Sequence, residues 1–348
     1  MSSFRPAPAM SRRRFFGNTG LLLGAAVAAP PLLTACGAKA GGGEMSMQLG
    51  YLLGEGQLGE AVALAKGWYS EAGITFSLKQ GGPSNDGLSL VVGGQSPIGE
   101  VSSSPSLMLA RSQGMPLRSF GVGVQRHPYA YLSRPEKPVH EPKDLVGKKV
   151  GTQATGKILL SAMLAANDID PASVEVSVVG SDVTPLTTGQ VDVWTGWLSN
   201  VAVIRPLAGK YVAMRLWDSG IKLYAYPYYA TEATLASNRD KLTQFLSATA
   251  RGWQYARENL DEAAGMLVKN QPTLNPQDIK EQGKVLLEYM FTEDTAKNGW
   301  GTMDRSVWQT QIDTYAKLGQ FAGAPPKVDD LVDFSILDAT AGSRPKIG

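Results

Sequence analysis

From residue 45 onward, apolar positions alternate between two rhythms. Residues 45–53 read as a strand. Leu58, Ala61, Val62, Ala65, Trp68 and Tyr69 then recur at helical spacing, and Gly73 closes that helix as a C-cap. Residues 74–78 alternate as a strand, 87–92 form a short helix, and 98–101 form a strand bounded by Gly and Ser. Pro105 opens another helix at its first turn, Gly114 ends it, and 117–124 follow as a buried strand. Strands alternating with helices imply a parallel sheet.

The rhythm restarts after Pro128, Pro135, Pro138 and Pro142, a proline-rich stretch that reads as a connection between lobes. Strands are expected at 148–152, 174–179 and 191–194, with helices at 158–167 and 184–188 between them. The segment 224–229 holds Pro227, which a central strand would not tolerate, so it reads as the return crossing. Hinges are expected over 125–133 and 224–231. Beyond them the chain is mostly helical: 241–259, with Leu242, Phe245, Leu246, Thr249, Trp253 and Ala256 on one face, then 261–270, 276–291 and 304–318. About 300 residues exceed what one core usually supports, so two lobes are expected. The division is 45–126 for the first part of lobe 1, 127–228 for lobe 2, and 229–348 for the return to lobe 1.

The first 44 residues do not follow this pattern. Ser11-Arg12-Arg13-Arg14-Phe15-Phe16-Gly17, a mildly apolar run and Leu33-Thr34-Ala35-Cys36 resemble a twin-arginine export signal ending in a lipobox. The apolar stretch 21–29 stops at Pro30-Pro31, well short of the roughly 20 residues that span a bilayer. Residues 1–35 are therefore expected to be removed, Cys36 to be lipidated, and 36–44 to act as a flexible tether. Cys36 is the sole cysteine, so neither a disulfide nor thiol chemistry is expected in the mature protein. The formal charge of +2 includes four arginines of the leader, whose loss leaves a nearly neutral chain with no basic stripe for nucleic acid.

Five segments, in order, carry a resemblance to a known family: 65–74 (AKGWYSEAGI), 92–99 (VGGQSPIG), 109–117 (LARSQGMPL), 142–151 (PKDLVGKKVG) and 188–193 (TGQVDV). Behind a lipoprotein leader they resemble the solute-binding proteins of nitrate, sulfonate, taurine and thiamine-precursor ABC importers. The resemblance implies the type II periplasmic-binding-protein fold: two α/β lobes joined by two crossings, with a ligand held between them. It also implies an ABC permease and its ATPase as partners, an exported protein that is lipid-anchored through Cys36 to the outer face of the cytoplasmic membrane or else periplasmic, and a monomer that closes by hinge motion.

In open α/β sheets, ligands bind beyond the carboxyl ends of the strands, where helix starts offer unpaired N–H groups. Four such loops are legible: 51–57, 101–104, 152–156 and 194–197. An oxyanion would need donors, which Ser102, Ser103, Thr152, Thr155 and Arg126 can supply. A flat heteroaromatic would need stacking faces, for which Tyr51, Trp194, Trp197, Tyr226 and Tyr229 are candidates. An aminopyrimidine would also want a carboxylate, and Glu55, Glu100, Asp182 and Glu232 lie near strand ends. The aromatic richness favours a ring-bearing solute such as a thiamine pyrimidine precursor, with sulfonate, taurine or nitrate as the alternative.

His127 and His140 are the only histidines and read as structural, so no metal or cofactor is expected. An enzyme is the competing class. Fungal members of the superfamily build the thiamine pyrimidine with a cysteine-rich motif, which this chain lacks. No Gly-x-Ser-x-Gly, His-Glu-x-x-His or Walker loop is present either. A surface lipoprotein with no transport role is the third class.

Overall fold

A computed structural model describes residues 43–82, 85–269 and 271–348; the leader, Cys36 and tether residues 37–42 lie outside the described residues, whereas Gly43 and Glu44, expected in the tether, pair with Ile74 and Thr75 as the first residues of a strand. The described residues form one compact unit. Within it are two five-stranded sheets. The first contains β1 (Gly43–Leu49), β2 (Ile74–Lys79), β3 (Ile98–Glu100), β4 (Leu117–Val124) and β10 (Ala225–Thr231), in the order β2-β1-β3-β10-β4. The second contains β5 (Tyr129–Ser133), β6 (Lys149–Thr152), β7 (Glu175–Val178), β8 (Val193–Trp197) and β9 (Val212–Arg215), in the order β7-β6-β8-β5-β9. β1 runs parallel to β2 and β3, and β6 runs parallel to β7 and β8. Each sheet takes one antiparallel strand, β10 or β5, in its fourth position. That strand is in each case the first one formed after the chain crosses from the other sheet, at 125–128 and at 216–224.

Two expectations need correction. Tyr224 to Tyr229 was expected to be a crossing, yet 225–231 lie inside the first sheet. Pro227 is tolerated because its missing N–H removes no ladder bond. β3 pairs only with 228–230, so Pro227 sits past its end, where the Pro227 carbonyl accepts from Val101 N at 3.3 Å. On the other side Val122 turns its own N–H to the Gly301 carbonyl at 3.1 Å, and the register shifts between Tyr228 and Tyr229. The second correction concerns 129–133, expected as a hinge flank, which is instead a fully buried strand flanked by β8 and β9.

The helix Leu58–Ala65 packs on the long helix Arg239–Glu258, and glycine decides how closely. A Cβ on Gly252 would lie 2.0 Å from the Gly59 carbonyl oxygen, and one on Gly59 would enter the Trp253 ring at 2.3 Å. Gly252→Ala must therefore push the helices apart, at a cost of about 1–3 kcal/mol. The expected result is a lower urea midpoint with an unchanged slope, and an unchanged midpoint would refute the close packing. Behind the first sheet, Tyr69, Phe76, Phe245, Phe120, Tyr228 and Trp300 form a continuous aromatic core.

Candidate functional site

Residues meet between the sheets from three sources. From the first sheet's side come the single turn Glu55–Gln57, the start of the helix Leu58–Ala65, Glu100 at the end of β3, and Tyr226 and Tyr228 of β10. From the second come Trp197, the last residue of β8, and Ser199 just beyond it. The first crossing supplies His127.

Tyr226 has a left-handed backbone, φ 53°, uncommon for a bulky residue. That conformation lays its ring on Gly56, where a Cβ would come within 2.6 Å of the ring. From the opposite lobe Trp197 approaches Tyr226 at 5.5 Å between ring centres, tilted 53°, and meets His127 nearly edge-on at 4.8 Å. His127 is 1% exposed. Its Nδ1 accepts from the Tyr129 N–H at 3.3 Å, so in the neutral ring the proton resides on Nε2, which is buried with no partner among the described residues. Burial pushes its pKa down to about 3 and keeps it neutral.

Three carboxyls stand beside this aromatic group. Glu60 is fully buried; its Oε1 accepts from the Tyr228 hydroxyl at 2.6 Å and its Oε2 has no partner. Burial raises its pKa to about 7, against the pull of Tyr228. Glu100 accepts from Gln57 Nε2 at 2.6 Å, and burial together with the Glu60 charge raises it to about 8. Glu55 is also raised by burial, opposed by its own backbone amide and by the Ser199 hydroxyl across the cleft. No lysine or arginine is among the groups acting on these three acids. All three push the Tyr226 phenol up, after its burial. Among the described residues, no group of acids, histidine or cysteine has the arrangement to hold a metal ion.

The structure separates the sequence candidates. Glu55, Trp197 and Tyr226 converge, and Glu100 joins them. Trp194, expected beside Trp197 in a loop, lies in β8, and the pair differ by three residues in a strand of period two, so they face opposite sides. Trp194 is 2% exposed and packs with Leu132, Leu186, Val191 and Ile204 in the core of the second lobe. Ser103 keeps a buried, unpartnered hydroxyl at the start of the helix Ser104–Ser112, whereas Ser102 is half-buried and its carbonyl accepts from the Tyr226 N–H. The Thr152 hydroxyl is spent inside the second lobe, 2.8 Å from Thr195 Oγ1 and 3.0 Å from the Tyr129 hydroxyl. Thr155 is exposed, and Tyr51 is 52% exposed. Arg126 is committed to an ion pair with Glu293 rather than to the cleft. Asp182 caps Thr184 at the surface and Glu232 pairs with Arg111. Sequence reasoning missed Glu60 and Ser199, read His127 as structural, and held Gln57 only as the end of the loop 51–57. The one available signal was Glu60 itself, a charge among the apolar positions of its helix.

Residues 57–263 match the family model described as NMT1/THI5 like, and the chain belongs to that family. It is 27% identical over 235 residues to the riboflavin-binding protein RibY of Chloroflexus aurantiacus, covering 66% of this chain and 67% of that one. It is 25% identical to the formylaminopyrimidine-binding protein of Halalkalibacterium halodurans, covering 72% and 78%. A third relative, 26% identical over 61% of this chain and 69% of its own, is the 4-amino-5-hydroxymethyl-2-methylpyrimidine phosphate synthase of Legionella pneumophila. The fold is that of the periplasmic aliphatic sulphonate binding protein SsuA of Escherichia coli, with a TM-score of 0.64 at 14% identity over 82% of this chain and 91% of that one. No helix among the described residues is long and apolar enough to cross a membrane.

Proposed function

We propose that this protein is the solute-binding component of an ABC-type importer and that its solute is a flat, nitrogen-bearing ring. The observation that carries this reading is the meeting of Trp197 and Tyr226 from opposite lobes, beside the buried Glu60 and Glu100 and the half-buried Glu55, with no cation among the groups acting on them. Aromatic faces hold a planar ring, and carboxyls accept from ring amino or imino groups. The unpartnered His127 Nε2–H would complement a ring acceptor. An oxyanion finds no cation here, since Arg126 is engaged elsewhere and no lysine or arginine acts on the acids. The names of two relatives, which bind riboflavin and formylaminopyrimidine, agree with a ring. The solute is captured and released without covalent chemistry, although one relative is named as a synthase. Export, lipid attachment at Cys36, delivery to a permease and ATPase, and a monomeric state belong to the same reading.

Melting temperature against a panel of aminopyrimidines, thiamine, riboflavin, taurine, alkanesulfonates and nitrate tests it, on protein lacking the first 35 residues. A ligand at 100 times its dissociation constant adds about 2.7 kcal/mol, a shift of several degrees. Shifts with ring compounds alone are expected. A shift confined to sulfonates or nitrate would overturn the ring assignment.

A further inference from the structure

The ion pairs of the described residues lie within one lobe or between a lobe and its own crossing, with a single exception. Arg205, in the turn Arg205–Leu207 that follows β8 and the helix Val201–Ile204, reaches the opposite lobe and pairs with Asp278 and with Glu281 Oε2 at 3.1 Å. Both acids stand on the helix Pro276–Met290, three residues apart and therefore on one face. Asp278 lies in that helix's first turn, where the helix dipole favours a carboxylate and Asn275 caps the backbone. Gln277 Nε2 donates to the other Glu281 oxygen at 2.9 Å and fixes its orientation.

The same helix packs against the turn Glu55–Gln57, and Gly283 on it faces Leu58, whose Cδ1 would be 2.8 Å from an added Cβ. The chain runs from Trp197 and Ser199 into Arg205 on one side. On the other side, the helix bearing Asp278 and Glu281 backs the turn that presents Glu55 and Gln57. The three charges thus tie the two halves of the candidate site together from outside it.

We infer that Arg205 is a positioning residue, a cross-lobe clasp on Asp278 and Glu281 that favours the closed arrangement of the lobes and touches no solute. Exposed ion pairs are individually weak, so the clasp tilts the open–closed balance by about fivefold rather than locking it. Being exposed, it is screened by salt.

The test needs no solute and so stands or falls separately from the ring assignment. Dyes are attached at Glu136→Cys on the second lobe and Asp240→Cys on the first, in the full chain with Cys36→Ser, and single-molecule energy transfer reads the lobe separation. At low salt, Arg205→Ala is expected to move the closed-to-open ratio about fivefold toward open. One molar sodium chloride is expected to do the same to the parent and little to the variant. Asp278→Asn with Glu281→Gln, which removes the pair from the other side, should copy Arg205→Ala, and the charge exchange Arg205→Asp with Asp278→Arg should recover part of the closed population. Distance distributions and salt responses that stay at the parent's values in both single-side variants would overturn the clasp.

Discussion

Trp194→Ala is expected to cost about 3–5 kcal/mol of stability and leave solute affinity near the parent's, while Trp197→Ala does the reverse. Trp194 fills the centre of the second lobe, so truncation removes a large apolar side chain and leaves a cavity that the short strands β5 and β8 cannot collapse into. Trp197 is half-buried, with its ring against His127 and Tyr226 and at the edge of the main core rather than in the cluster that holds Trp194. Its removal should change the melting temperature little and weaken ring binding by more than tenfold. The pair is read by denaturant titration and by calorimetry with whichever ring compound raises the melting temperature. Equal losses of affinity in both variants would return Trp194 to the cleft and refute the face assignment of β8.

The second large effect is on the pH dependence of stability. Glu60 and Glu100 have native pKa values of about 7 and about 8, against 4.5 when exposed. Between those limits the folded protein holds protons that the unfolded chain has released. Stability from this source is complete below about 4.5 and is lost as pH rises through 7 and 8. His127 acts at the other end. Its folded pKa near 3 lies below the exposed value of 6.5, so its contribution is present above 6.5 and is lost as pH falls toward 3. The ligand-free protein is therefore expected to melt highest in mildly acidic buffer. Glu100→Gln keeps an acceptor for Gln57 and should flatten the decline between pH 5 and 8, and His127→Gln should flatten the acid limb. A melting temperature in Glu100→Gln that falls across that range as steeply as the parent's would mean the carboxyl is solvated and the acids do not share a buried space.

Much of this architecture was legible where the chain is rhythmic. The parallel strands and the helices between them carry unbroken apolar periods, and 87–92 and 117–124 were read to the residue. What escaped was the antiparallel part. β5 is bounded by Pro128 and Pro135, β10 contains Pro227, and β9 is a four-residue edge strand. Proline argues against a strand only when its N–H would have met a partner, and the sequence does not show where a neighbouring strand stops. The site divides in the same way. Tyr226, Trp197 and Glu55 stand at element ends, where chemistry was sought. His127 looked structural because a lone imidazole has no signature, and its one free nitrogen is apparent only once Tyr129 is seen to occupy the other.

The place of β10 between β3 and β4 sets a timetable for the nascent chain. The second sheet is built entirely from residues 129–215, so its contacts close locally and can form while synthesis continues. The first sheet begins at residue 43 and can pair β1 with β2 and β3 early, yet neither β3 nor β4 meets β10 until Thr231 has emerged, nearly two hundred residues after the sheet begins. Until then β3 and β4 present unpaired edges to whatever is nearby. The inserted lobe is expected to fold first, and the lobe that begins and ends the chain to fold later, because its strand pairings span the longer stretch of sequence.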